Sequence, residues 1–420
     1  MSVQVEDRPA AEPAGLLFDR LALLAILGAL VLAAWNGQVV IVIVLALVLA
    51  AAGLAWLWSR YSLAGVTAER TLSEHRIFPG ESIELQLRLA NRKLLPLPWI
   101  ELDDEMSTGL NPDIPLAASF RPGYGRLSKT AALLWYTSVG WKHRLYGQRR
   151  GYYTLGPLTL TSGDIFGFYP RYLTRAATDH VIVYPEIFPI ARLGIPPLYP
   201  IGETTAEKRI FEDPVRVIGV RDYTPQDSLR HVHWKASARH QSLQVKVFEP
   251  TTTLTVALFL AVDSFRRGRP RDEDVFELGI STAASVASHL IERHSSVGLY
   301  VNSKLADTAR PAEMMPGSST EQLVAVLEAL AKVTPEASGP FEDFLQSGMT
   351  GLPWGTTLLF VVSGESPQLA DLFNVLKESG KRLAVLYVVG AADSAGAPDP
   401  AWHSIRQPED FTAVDTGVTP

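Results

Sequence analysis

Cysteine is absent from all 420 residues. That removes disulfides, thiolate metal sites and cysteine nucleophiles together. The absence does not fix a compartment, since an extracellular domain can also lack cysteine. No Gly-rich phosphate loop and no dinucleotide fingerprint occurs, so nucleotide binding has no motif behind it. A basic stripe is missing as well: 38 Lys and Arg against 44 Asp and Glu leave a net charge of −6. That balance argues against a dedicated nucleic-acid binder. The chain is too long for one compact core, which predicts two or three domains.

Two long uncharged runs stand near the start. Leu21 to Trp35 and Val39 to Trp58 carry no charged residue, and Asn36-Gly37-Gln38 forms a polar turn between them. At about 1.5 Å per residue the second run reaches roughly 30 Å, the thickness of a bilayer's hydrocarbon core. The first is shorter, and Leu16 to Phe18 extend it if Arg20 snorkels to the interface. Trp35, Trp56 and Trp58 lie where interfacial aromatics belong. A helical hairpin inside a soluble core is disfavoured, because neither run has a polar face. A cleaved signal peptide ending near Leu32-Ala33-Ala34 has a poor n-region, where Glu6, Glu12 and Asp19 offset Arg8 and Arg20. Arg20 precedes the first run, Arg60, Arg70 and Arg76 follow the second, and the turn has no cation. The positive-inside rule therefore places both ends in the cytoplasm.

Past Arg60 the period changes. Ile83 to Leu89 alternates strictly between apolar and polar, as a half-buried strand does. Phe78-Pro79-Gly80-Glu81 and Asn91-Arg92-Lys93 flank it as turns. Trp141 to Tyr146 and Gly151 to Leu155 are further short strands. Leu95-Pro96-Leu97-Pro98-Trp99 reads as an edge or a connection, not a central strand. An antiparallel β-sandwich or small barrel over residues 66–185 is expected. Its aromatics Tyr152, Tyr153, Phe166, Phe168 and Tyr169 are read as core filling in preference to a ligand platform.

From Thr253 the pattern turns to α/β. Thr253 to Val262, Ser296 to Val301, Thr356 to Val362 and Leu383 to Val389 are apolar strands of the kind buried on both faces. Asp272-Glu273-Asp274 opens a helix that Arg293 and His294 close. Ser318 and Glu321 form a capping box ahead of a second helix. Pro367 begins a third, and Gly380 follows its end. The alternation predicts a doubly wound parallel sheet. In such sheets a ligand sits at the carboxyl ends of the strands, where the first strand here ends in Asp263. That carboxylate is a candidate metal ligand. Residues 1–15 form an N-terminal tail, 16–60 two transmembrane helices, 66–185 the β-rich domain and 186–250 a connecting segment. The α/β domain covers 251–390, and 391–420 is a loosely ordered tail.

The connecting segment is the densest in chemistry. In Arg221 to Arg239, Pro225 and Gln226 fit a turn and Asp227 an N-cap for a short helix. Charged groups stand beside Tyr223 and Trp234. His231 and His233 are two apart and face different ways, which suits one metal poorly. A structural ion-pair cluster on the α/β domain is preferred over an active site, and no Ser–His–Asp or paired-carboxylate arrangement can be assembled.

The arrangement resembles a bacterial family catalogued as domain of unknown function 58, which includes MoxR-associated membrane proteins. Arg150-Gly151-Tyr152-Tyr153-Thr154-Leu155-Gly156-Pro157 and Asp164-Ile165-Phe166-Gly167-Phe168 match two of its elements. Arg221, Tyr223, Pro225, Asp227, Arg230, Trp234, Ala238, Arg239, Leu243 and Lys246 match its longest, with Gln226 where the family commonly has Gly. Thr255 to Ser264 resembles the first strand of a von Willebrand A domain.

The resemblance implies a partner, a MoxR-type AAA+ ATPase, with client or other membrane proteins. The expected function is a non-enzymatic, multi-pass membrane scaffold with cytoplasmic soluble domains, and no nucleic acid. Arg221, Tyr223, Pro225, Asp227, Arg230, Trp234, Arg239 and Lys246 are its structural or partner-binding residues. A hydrolase using the Arg221 to Arg239 cluster and a membrane sensor with a ligand-binding β-domain are the alternatives. The adhesion-type metal motif D-x-S-x-S would read Asp263-Ser264-Phe265-Arg266-Arg267 here. Phe265 and Arg267 take the serine places, and the later acidic place falls in Ser363-Gly364-Glu365. No cofactor is expected, and Mg²⁺ at Asp263 is disfavoured.

Overall fold

The computed structural model describes residues 5–6, 20–176, 178–190, 212–224, 232–250, 254–265, 272–353, 355–364, 367–390, 403–407 and 410. The chain divides into two compact units. One is Met1–Glu186 with Leu327–Val333, and the other is Ile187–Val326 with Thr334–Pro420.

In the first unit, β1 (Val5–Glu6) precedes helices α1 (Arg20–Trp35) and α2 (Val39–Ser62). The two pack together across the turn at Asn36 and Gly37. One face of α2, with Ala52, Ala55, Ser59 and Ser62, is buried. Elsewhere its aliphatic side chains stand exposed, Leu47 at 65% and Leu54 at 68%. Among the described residues one helix, α2, is long and apolar enough to cross a membrane, and α1 is a shorter apolar helix.

Eleven strands follow: β2 (Val66–Leu72), β3 (Arg76–Ile77), β4 (Ser82–Asn91), β5 (Leu97–Ser107), β6 (Leu110–Pro112), β7 (Ala117–Ala118), β8 (Tyr124–Leu133), β9 (Ser138–Gly147), β10 (Gly151–Ser162), β11 (Arg171–Arg175) and β12 (Asp179–Val183). One sheet runs β1-β11-β10-β5-β8-β7, with β12 beside β10 and β3 beside β12. The other runs β2-β4-β9-β6. Ile83, Leu85, Leu87 and Leu89 of β4 point inward and share one core with Ile100, Leu102, Met106, Leu127 and Leu160. The period of two seen in Ile83 to Leu89 is therefore the inner face of a two-layer β structure.

Two readings of this region are corrected. Leu97-Pro98-Trp99 begins strand β5, which lies inside its sheet between β10 and β8. Pro98 is accommodated because the β5–β8 register shifts between Leu97 and Ile100, and a proline at such an irregularity removes no ladder bond. Phe166 is no core residue: it is 68% exposed and stacks on Phe168 at 5.5 Å. Tyr153, in contrast, packs against the core.

The core also holds charge. Asp104 takes an inward position on β5 between Leu102 and Met106, with its side chain 0% exposed. Arg70 reaches it from β2 at 2.5 Å, and its Nε donates to Asp179 at 2.8 Å. A third guanidinium bond goes to the Leu155 carbonyl at 3.0 Å. The β10 register shifts between Leu155 and Leu158, where Gly156 holds φ at +105°. Burial pushes the Asp104 carboxyl up to about 6, against the pull of Arg70.

In the second unit, β13 (Glu212–Asp222) pairs with β14 (Gln244–Pro250) as a two-stranded sheet, with α3 (Trp234–His240) between them. The α/β part comprises β15 (Thr255–Leu260), α4 (Asp272–Glu292), β16 (Ser296–Val301), β17 (Ser303–Leu305), β18 (Ala312–Gly317), α5 (Thr320–Lys332), β19 (Val333–Ala337), α6 (Phe341–Met349), β20 (Thr357–Ser363), α7 (Pro367–Glu378), β21 (Leu383–Val388) and β22 (His403–Ile405). The sheet order is β18-β16-β15-β20-β21-β22. All neighbours are parallel except β16 and β18. Counted within this sheet the order is 3-2-1-4-5-6, that of a doubly wound α/β fold. Strand β22 extends the sheet into the segment read as a loose tail, by pairing with Leu386 to Val388. The cap of α5 also moves one residue: Ser319 Oγ accepts from the Gln322 N–H at 3.1 Å, so Ser319 does the work assigned to Ser318.

Candidate functional site

The order of the sheet reverses at β15, and the crevice of a doubly wound fold opens at the carboxyl ends of the strands flanking such a point. Asp263 stands there, in the short turn Val262–Ser264 after β15. It is exposed, yet both carboxylate oxygens are engaged. Oδ1 accepts from the Asn302 side-chain amide at 2.9 Å, and Oδ2 accepts from the Phe341 N–H at 3.0 Å. Asn302, 0% exposed, follows β16 directly and also accepts from the Val262 N–H at 2.7 Å. On the other side, Ser264 Oγ donates to the Ala261 carbonyl at 2.6 Å and accepts from the Ser363 N–H at 2.9 Å. Three strand ends are thus laced together around one carboxylate. The donors to Asp263 are neutral, so the lacing orients its charge without cancelling it.

The serine places of the adhesion-type motif hold no hydroxyl in this chain, since Phe265 and Arg267 occupy them. Phe265, in the first serine place of the adhesion-type motif, turns into the core, 4% exposed, and meets Phe276 edge-on with centroids 5.5 Å apart. A side chain at Gly279 would collide with the Phe265 ring, so helix α4 closes over it. Ser264 Oγ is already committed in both directions. Among the described residues no cluster of three or more His, Asp or Glu forms. The donor set therefore does not match the motif. Asn302 was missed in the sequence, although its place just past a strand next to β15 was a readable signal.

The connecting segment forms a separate local structure. Tyr223 N–H donates to the Leu243 carbonyl at 2.8 Å, and Lys246 faces Val220 in the β13–β14 ladder. Asp222 Oδ1 accepts from Gln244 Nε2, and the Arg221 guanidinium donates to the Asp222 carbonyl at 3.2 Å. The helix begins later than expected. Val232 makes a bridge to Val245, and His233 is the N-cap, its Nδ1 accepting from the Ala236 N–H at 3.1 Å. The reason is that residue 232 is drawn into the ladder, which leaves His233 to satisfy the first free amides of α3. The Asp222 side chain accepts from Gln244, and His233 donates its backbone N–H to the Gln244 carbonyl. Trp234 is 69% exposed, and Arg239 is exposed. Pro225, Asp227, Arg230 and His231 lie outside the described residues, as do Arg266 and Arg267.

Residues 219–410 match the family described as "Protein of unknown function DUF58". The uncharacterized protein YeaD of Bacillus subtilis (strain 168) is 22% identical over 344 residues, which make up 79% of this chain and 78% of that protein. Among solved structures, the CARDB domain of the PF1109 protein from Pyrococcus furiosus matches 28% of this chain and 91% of its own, at 12% identity and a TM-score of 0.19. Spo0M, the sporulation control protein of Bacillus subtilis, matches 29% of this chain and 49% of its own, at 11% identity and a TM-score of 0.18. At such scores neither contributes to the assignment of fold or function.

Proposed function

We propose that the chain is a membrane-anchored adaptor without catalysis of its own. In this reading α1 and α2 cross the bilayer as a hairpin, and both soluble units lie in the cytoplasm. The α/β part, of von Willebrand A type, offers its switch-point crevice to a protein partner. The observation that carries the reading is Asp263: an exposed carboxylate held by neutral donors keeps a fixed negative charge. A Lys or Arg side chain of a partner complements such a charge. The 3-2-1-4-5-6 order with one antiparallel strand supports the fold type, and the exposed aliphatic surface of α2 supports the anchor. Resemblance to the MoxR-associated family supports a MoxR-type AAA+ ATPase, or its client, as the partner.

The test is capture from membrane and cytosol extract by the detergent-solubilised chain, with and without Mg²⁺, read by mass spectrometry. Recovery of an AAA+ ATPase in both conditions, reduced about tenfold by Asp263→Lys, is expected; tenfold corresponds to about 1.4 kcal/mol. Ion-dependent recovery would make Asp263 a metal ligand instead. Failure to recover any ATPase would remove the proposed partner.

A further inference from the structure

The end of the β structure from which α2 emerges differs from the opposite end. Strands β4, β8 and β10 finish there, and β2, β5 and β9 begin there, because the ladders pair Val66 with Asn91, Leu97 with Leu133, and Ile100 with Ser162. The loops at 92–96, 134–137 and 163–170 are thereby gathered beside the last turn of the apolar helix.

Hydrogen bonds tie each loop to that place. Lys93 Nζ donates to the Tyr61 carbonyl at 2.7 Å and to the Ser62 carbonyl, which cap the end of α2. Arg92 N–H donates to the Gly65 carbonyl at 2.9 Å. The Asn91 side-chain amide donates to the Leu95 and Leu134 carbonyls at 3.0 and 2.9 Å, clamping the first two loops together. Ser59 Oγ of α2 donates to the Tyr169 carbonyl at 2.5 Å, which fixes the third. Inside that third loop, buried Asp164 accepts from the Phe166 and Tyr169 N–H groups at 2.9 and 2.8 Å, and Trp99 Nε1 donates to its carbonyl.

These anchored loops turn apolar side chains outward: Leu94 at 75% exposure, Leu134 at 60%, Trp135 at 56%, Tyr136 at 66%, Ile165 at 56% and Phe166 at 68%. The conformation of one is itself unfavourable. Tyr136 has φ +52°, a region that a bulky residue occupies at some cost and where Gly or Asn is the usual choice. A rigid loop that keeps an aromatic both strained and exposed breaks a local rule with no gain inside the fold. The gain must come from outside.

We infer that this rim docks onto the lipid bilayer, with Trp135, Tyr136 and Phe166 seated at the headgroup–acyl boundary around α2. The inference rests on the reading that α2 crosses the membrane. The geometry supplies the occupant, since the rim continues the apolar surface of α2 at the level of Ser59, where 20 residues counted from Val39 have already spanned the hydrocarbon. Arg60 and Arg92 stand exposed at the same level, where lipid phosphates lie. The rim would hold the β structure against the membrane surface.

The absence of native cysteine makes the test direct. Single substitutions Trp135→Cys, Phe166→Cys, Leu47→Cys and Phe120→Cys, each in the full chain and spin-labelled, are reconstituted in phosphatidylcholine–phosphatidylglycerol nanodiscs. Accessibility to oxygen and to a water-soluble nickel complex is then compared. Phe120 is fully exposed beyond the far ends of β5 and β8, and serves as the aqueous control. Oxygen should prevail over nickel at 47, 135 and 166, with 135 and 166 the shallower, and nickel should prevail at 120. Labels at 135 and 166 that read aqueous while 47 reads buried would overturn the rim and leave the span standing. An aqueous reading at 47 would overturn both.

Discussion

Asp104 in the first unit and Asp263 in the second both sit on or beside a strand, and their settings are opposites. In the β structure, Asp104 is sealed in the core with its charge opposed by Arg70, while its Oδ2 has no hydrogen-bond partner. In the α/β part, Asp263 stands exposed with both oxygens bonded to neutral donors. Charge balance without full hydrogen bonding makes a lock between two sheets. Full hydrogen bonding from two neutral donors, the Asn302 amide and the Phe341 N–H, makes an oriented charge. Buried ion pairs add little net stability but are expensive to break, whereas an oriented exposed charge serves recognition. The carboxylate that sequence reasoning overlooked is buried, and the one it singled out is exposed.

The largest effect should come from breaking the lock. Arg70→Ala leaves Asp104 buried without its cation and is expected to destabilise the chain by about 3–5 kcal/mol. Denaturant unfolding followed by tryptophan fluorescence measures it, and a near-neutral result would mean that the pair is not desolvated. Phe265→Ser, which restores the first serine of the adhesion motif, should cost about 3 kcal/mol, because the ring is lost from between Phe276 and Gly279. A stable variant with new Mg²⁺ affinity would instead show that the site tolerates repair.

The acidity of Asp104 offers a second probe of its setting. The Asp104 carboxyl titrates near 6 in the fold and near 3.9 when unfolded, so between those values the fold holds a proton that the unfolded chain has released. The corresponding stability is fully present below about pH 4 and is lost as pH rises through 6. Relative to Asp104→Asn, the native chain should gain about 2 kcal/mol on going from pH 7 to pH 4.5, read from thermal melts in detergent. No difference between the two proteins' pH profiles would contradict the burial of this carboxyl. The smallest effect is expected at Trp234, where Ala should change stability by less than about 0.5 kcal/mol despite the position of Trp234 in the longest family motif. A large loss there would favour the packed-cluster reading.

Periodicity carried much of the fold. Ile83 to Leu89 declared an inner face, and the strands at 296–301 and 383–388 began where their apolar runs begin. The apolar runs at 21–35 and 39–58 became α1 and α2 for the same reason, that neither could present a polar face to water. Elements set by pairing across the chain were not legible. Pro98 enters an internal strand because the β5–β8 register shifts around it, and Val232 leaves the expected helix because Val245 bonds it. Asp104 was hidden in Glu101-Leu102-Asp103-Asp104-Glu105, although its place in the 100-102-104-106 alternation marks it as inward. Of the candidate site, Asp263 was found from its position after a buried strand. Asn302 and the Phe341 amide were not, since hydrogen-bond partners 39 and 78 residues away leave no local trace.

Whether Asp263 meets a protein cation or a metal ion is decided by isothermal titration of Mg²⁺ and Mn²⁺ into the full chain in nanodiscs, beside Asp263→Asn. A presented charge in an incomplete donor set predicts no saturable heat in either protein. Saturable binding in the native chain that Asp263→Asn abolishes would contradict it, and would make this crevice a metal site.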